Sequence, residues 1–276
     1  RLPLSVNLDE FFRFCVQVPA AIVSSGGIEG VPDDVADREA GTPPKCSPMF
    51  TQEAANLLNT KMPLSMLKQV AQVKTLPADL KSNVAWTSWV RAVLIGDDEM
   101  AASLAAIMKP FNKTRVKLID AYLSAPSAQD RKFAATFMML QFSSAQPNAT
   151  AGILNEDGYG DASGWWWSAN PVEQSDKETK SEPLFLSSAD KAQAKVEITK
   201  LAKVMTAPTY LTKNVLAWAK THPNDARLPE ALHLAVKATR FGLTDETTAG
   251  LSKQAFQVLH SQYKNSPWSK KTPYWY

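Results

Sequence analysis

The 276-residue chain is poor in the residues that usually mark a reactive centre. It has two cysteines and three histidines. Cys15 and Cys46 have no CxxC or Cys/His spacing around them, which argues against a zinc site. Glu230 and His233 make one Glu-x-x-His. A carboxylate di-metal bundle needs two such motifs and two further inward glutamates, so a surface pair on a helix is expected instead. His222 and His260 fall near the ends of helical patterns, where the helix dipole favours a cation. His-Glu-x-x-His, Gly-x-Ser-x-Gly and the glycine loops that cradle phosphate do not occur. Ser-x-x-Lys occurs at Ser65–Lys68, Ser188–Lys191 and Ser261–Lys264. Its companion Ser-Asp-Asn and Lys-Thr-Gly elements are missing, so these are read as chance. No metal or cofactor is expected.

Charge of one sign is also scarce. Thirty Lys and Arg oppose 27 Asp and Glu, a net charge of +3. The one local excess is at the end, at Lys264, Lys270 and Lys271, and it reads as a solvated face. Nucleic acid, which needs a clustered basic footprint, is not an expected partner. No apolar run approaches the roughly 20 residues of a membrane span. "FAATFMML" reads as a buried helix face. Strand-like alternation is nearly absent. The chain opens on "RLPLSV", with no initiator Met and no charged-then-apolar leader. A C-terminal piece of a larger protein is expected, because the first clear helix pattern begins only near Thr51.

Helical spacing is plentiful. Residues 1–50 read as an irregular N-terminal segment with one short helix candidate, "LDEFFRFCVQVPAAIV". Residues 51–142 form a helical-repeat region, 143–187 a long loop insertion, and 188–276 a C-terminal helical region. Leu80, Val84, Trp86, Trp89, Val90 and Val93 fall largely along one side of a helix; Gly96 supplies a left-handed stop and Asp97 caps the next helix. Ser127 and Asp130 have capping-box spacing. Trp86, Trp89 and Trp218 are expected in the core. Trp268, Tyr274, Trp275 and Tyr276 are expected to pack as an end cover on the helix "SKQAFQVLHSQY".

The insertion holds "GWWWSANP" and the charged run "EQSDKETKSEP". Loops of this length are usually functional or unstructured. Each aromatic buries about 150–250 Å². Trp165, Trp166 and Trp167 are therefore read as a plug between helices or, with Tyr159, as a binding surface. "NEDGYGD" has calcium-like composition, but the ligand positions do not fit and a glycine turn is expected. Asn112 and Asn148 open glycosylation-type triplets that carry little weight. Cys15 and Cys46 flank a Gly/Pro/Asp-rich stretch; either a disulfide closes it or the two are separate thiols.

An offset of 41 residues aligns "LAWAKTHPND" with "QVLHSQYKNS"; Asn224 and Asn265 then match, and the next helices begin at Ala226 and Pro267. "HPNDARLPEAL" and "YKNSPWSKKTPY" resemble the helix-turn-helix junctions of tetratricopeptide-like repeats in exported bacterial proteins, over roughly 208–276. The strict 34-residue consensus is not met. The resemblance implies an all-α fold of stacked antiparallel helix pairs, an α-solenoid with one long Trp-containing loop. It implies a non-enzymatic scaffold for protein or peptide partners, periplasmic or extracellular. The second expectation is a carbohydrate-binding or carbohydrate-active helical protein, with glycan as partner and Glu156, Asp157 or Asp161 beside the tryptophans.

Overall fold

The structure is a computed structural model that describes residues 12–14, 48–142, 145–149, 186–241 and 243–276. It is built of helices, several of them started by a side-chain cap or a proline. Thr51 is extended and its hydroxyl accepts the Ala54 amide at 3.1 Å, which starts α1 (Gln52–Thr60). Pro63 and Pro77, both extended, precede α2 (Leu64–Ala71) and α3 (Ala78–Ile95). Gly96 ends α3 at φ 75°, a conformation that favours glycine. The Asp97 carboxylate then accepts the Met100 amide at 3.0 Å and opens α4 (Asp98–Met108). Two 3₁₀ turns, Lys109–Phe111 and Lys113–Arg115, lead to α5 (Val116–Leu123).

Ser127 caps α6 (Ala128–Gln141) by accepting the Asp130 amide at 3.1 Å. Ser187 and Asp190 cap α7 (Ser188–Leu201) reciprocally. There follow α8 (Ala207–Thr221), α9 (Leu228–Phe241), α10 (Thr248–Gln262) and α11 (Pro267–Lys270). Pro267 does stand at a first helical position, where its missing N–H costs nothing. The helix after Asn224 starts at Leu228, two residues later than Ala226. The delay has a cause: the Asp225 carboxylate takes the Arg227 amide at 2.9 Å first.

α2, α3 and α4 pack in sequence, α7 lies against α3, and α5 joins α4 to α6. α6 packs on α8 and α9, and α8, α9 and α10 pack on one another. One hydrophobic core runs through them, from Phe50 to Leu259. α3 is the central helix and is buried around most of its circumference, which the one-sided sequence stripe does not convey. Trp89 has no exposure; it stands edge-on to Trp86 at 5.5 Å and to Tyr122 at 5.4 Å. Trp86 donates its indole N–H to Asn112 Oδ1 at 2.7 Å. That bond makes Asn112 a buried structural residue rather than an open glycosylation site. Trp218 is also in the core.

One expectation is corrected. Within "LDEFFRFCVQVPAAIV", Phe12–Phe14 is a strand (β1), not helix. It pairs antiparallel with Pro48–Phe50 (β2), placing Phe12 opposite Phe50 and Phe14 opposite Pro48. Phe-Arg-Phe alternates with period two, and a partner strand 34 or more residues away can use that alternation where a local reading cannot. Among the described residues this ribbon is the whole β content. No helix among them is long and apolar enough to cross a membrane.

Candidate functional site

α8 and α10 lie side by side over the core and leave an open groove of about 230 Å³. Leu216 and Ala219 of α8 form a buried floor, with Val258 of α10 half-buried beside them. The rim is exposed and polar: Gln254, Gln257, Ser261 and Gln262 from α10, and Lys220 from α8. A primary carboxamide both donates and accepts, as a peptide unit does. At neutral pH it neither takes up nor releases a proton. The groove therefore offers apolar contact below and neutral, directional hydrogen bonding above.

Both ends of the helix pair are tied. At the N-terminal end, Thr206 Oγ1 donates to Asp245 Oδ2 at 2.9 Å, and the Thr209 and Thr248 hydroxyls meet at 2.7 Å. Asp245 Oδ1 also accepts the Thr247 amide at 2.9 Å and the Thr247 hydroxyl at 2.7 Å. Burial pushes the Asp245 carboxyl up, but the hydrogen bonds from Thr247, Thr209 and Thr206 outweigh it and hold it well below the usual range. At the other end, Trp218 is stacked between Phe133 (4.7 Å, 6°) and His222 (3.5 Å, 8°). Its indole N–H donates to Asp225 Oδ2 at 3.0 Å, and Arg227 completes the set by pairing with Asp225 at 2.6 Å. Tyr263 OH donates to Pro223 O at 2.5 Å, locking the end of α10 to the turn after α8.

A second polar cluster lies under α3. Arg91 is buried, 4% exposed, with no carboxylate in ion-pair contact among the described residues. Its Nε donates to Pro147 O at 2.5 Å, Nη1 to Leu58 O at 3.0 Å, and Nη2 to Asn59 Oδ1 at 2.9 Å. Asn59 completes the clasp: its Nδ2 donates to Ala149 O at 2.8 Å and its Oδ1 accepts the Ala149 amide at 2.7 Å. Burial lowers the Arg91 guanidinium to about 10, and Glu197 acts against that. Glu197, on α7, is itself buried; it accepts the Leu64 amide at 2.8 Å and the Gln193 carboxamide at 2.9 Å. Leu64 is the first residue of α2, so Glu197 accepts a helix-start amide that has no partner within the helix. Residues 145–149 and α7, on either side of 150–185, are thus both fastened to α1–α3.

Tyr159, Trp165, Trp166 and Trp167 lie outside the described residues, as do Glu156, Asp157, Asp161, Cys15 and Cys46. Glu230 and His233 are not brought together on a metal. Glu230 accepts the Gln141 carboxamide at 2.6 Å, whereas His233 Nδ1 meets Thr272 Oγ1 at 2.7 Å. Among the described residues no cluster of His, Cys, Asp or Glu could hold a metal ion. Sequence reasoning missed Arg91, Asn59 and Glu197, and also the carboxamide rim. Arg91 carried one signal: it is the only charged residue between Lys81 and Asp97. The Gln254/Gln257 spacing put two carboxamides on adjoining positions of one helix face, but nothing in it announced the facing α8 floor.

Compared with family models, curated proteins and solved structures, the chain has no match.

Proposed function

We propose that the chain is a non-enzymatic helical scaffold that holds an extended peptide segment of a partner protein in the α8/α10 groove. The observation that carries this reading is the rim of Gln254, Gln257 and Gln262 above Leu216 and Ala219. Carboxamides can satisfy the amides and carbonyls of a bound strand without demanding a particular side chain. The tethered ends favour it further, since a preformed groove loses little freedom on binding.

The helix pairs also support the stacked, tetratricopeptide-like reading. α8 and α10 are both 15 residues long and begin 41 residues apart, at Ala207 and Thr248. Thr206 and Thr247 precede them in matching positions. Asp225 and Ser266, again 41 apart, each accept the amide two residues on, from Arg227 at 2.9 Å and Trp268 at 3.2 Å. The same short side-chain-to-amide bond at matching turns is what a repeated helix-turn-helix unit would produce, although it caps α11 directly and precedes α9 by three residues.

Panning the 276-residue chain against displayed random peptides, followed by fluorescence anisotropy on those selected, tests the proposal. The Gln254→Ala/Gln257→Ala double variant should bind about tenfold more weakly, since two groove hydrogen bonds go. Its unfolding free energy should stay within about 0.5 kcal/mol of wild type, because both positions are exposed. Selected peptides that bind the double variant equally well, or a selection that yields none, would sink the groove.

A further inference from the structure

On the flank of α10 that borders the groove the chemistry changes. From Thr247 to Tyr276 the sequence has no Asp or Glu, while Lys253, Lys264, Lys270 and Lys271 are all exposed. None of these four makes an ion pair among the described residues. Trp275 and Tyr274 are 44% and 50% exposed, in a chain whose other described tryptophans are buried or half-buried. They belong to a seated tail. Trp275 packs on Phe256 at 5.1 Å, and the Tyr276 amide donates to Ser252 Oγ at 3.3 Å. The tail does cover α10, as the sequence suggested, but it also engages α9 through His233 and Arg240.

Two observations narrow what this flank can bind. First, the rings of Trp268, Trp275 and Tyr276 already carry the protein's own cations. Lys253 Nζ lies 5.6 Å from the Trp275 centroid, Lys271 Nζ 4.4 Å from Trp268, and the Arg240 guanidinium 4.9 Å from Tyr276. A base or a pyranose would have to displace a cation to stack there, so single-stranded nucleic acid and glycans fit poorly. Second, Thr272, His233, His260 and Ser269 spend their hydrogen bonds internally. Thr272 Oγ1 donates to Trp268 O at 2.8 Å, so His233 Nδ1 must be the donor toward that same oxygen; His260 Nε2 donates to Thr272 O at 2.8 Å. Ser269 Oγ is taken by Tyr263 O at 2.6 Å. What faces outward is ammonium groups beside ring edges.

We infer that this flank rests on an anionic phospholipid surface, with Trp275 and Tyr274 at headgroup depth and the four lysines meeting lipid phosphates. Ring edges and ammonium groups are the pairing that membrane interfaces favour, and they need no fixed partner geometry. The inference is distinct from the groove, because neither Lys253 nor Trp275 lines it, although Lys253 borders it, one turn before Gln257 on α10.

Co-sedimentation of the whole chain with vesicles of phosphatidylglycerol and phosphatidylcholine in equal parts tests it, with pure phosphatidylcholine vesicles as the counterpart. The chain should pellet with the mixed vesicles and not with the neutral ones, and high salt should release it. Lys253→Gln and Lys271→Gln should each lower the partition coefficient about fivefold. Thermal melts close to wild type would show that both variants fold, as exposed positions should. The groove variant Gln254→Ala/Gln257→Ala should pellet like wild type. Equal binding to neutral vesicles, no pelleting with either, or lysine variants that pellet like wild type would overturn the inference. Retention by a single-stranded oligonucleotide or by polyglutamate, with vesicles ignored, would overturn it in favour of those polymers.

Discussion

On α3 a full positive charge is buried; from Thr247 to Tyr276 every lysine is exposed. The α1–α3 and α7 region fastens distant segments with Arg91, Asn59 and Glu197, whose bonds reach across 32 to 133 residues of sequence. The α8–α11 region is fastened over 7 to 39 residues by threonines, Asp225, Asp245 and two histidines, with hydroxyls rather than a buried charge, and its aromatic stack closes the end of α8. A buried guanidinium tolerates no loss of partners, since each orphaned carbonyl keeps its desolvation cost. Hydroxyl clips are individually weaker and can fail one at a time. The first region is therefore suited to holding the ends of 150–185 in place. The second can present two different flanks of one helix to partners.

Arg91→Met should separate the regions most sharply. It abandons the carbonyls of Leu58 and Pro147 and the Asn59 side-chain Oδ1, and should lower the unfolding free energy by about 3–5 kcal/mol in denaturant titration. A loss below about 1 kcal/mol would mean that water replaces the guanidinium and that the contrast is false. Thr272→Val is the counterpart in the second region. It removes the hydroxyl that links His233 to the Trp268 carbonyl, and about 1–3 kcal/mol is expected. Hydrogen exchange should show the loss confined to α9, the end of α10 and the tail.

How far these contrasts could be read from sequence differs by element. Thr51, Gly96, Asp97, Ser127 and Pro267 were legible because caps and stops act within three or four residues. Trp86, Trp89 and Trp218 were legible as core because apolar area at helical spacing must be hidden. Arg91 was not, because a charged residue in a helix ordinarily faces water. Its burial depends on Pro147, 56 residues away. Phe12–Phe14 failed for the same reason, since its partner is Phe50. The groove combines Leu216 with Val258, and their adjacency comes from the packing of α8 on α10 rather than from either helix alone.

Two smaller changes refine the second region. Trp218→Phe keeps the stack on Phe133 and His222 but loses the bond to Asp225, and should cost about 1–2 kcal/mol. Asp245→Asn should act through pH. The folded pKa of Asp245 is depressed, so its contribution is full above about pH 4, the unfolded value, and is lost as pH falls through the folded one. The melting-temperature gap between wild type and Asp245→Asn should be constant at neutral pH and close on acidification below about pH 4. A gap independent of pH would show that the carboxylate charge is irrelevant to the Thr206–Thr247–Thr248 clip.

Peptide binding between α8 and α10 is tested most directly by amide chemical-shift mapping of the chain with a selected peptide. Shifts should concentrate at Leu216–Lys220 and Gln254–Gln262, leaving α1–α5 and the Arg91 cluster unmoved. Shifts centred on α1–α3 instead, with α8 and α10 silent, would contradict it.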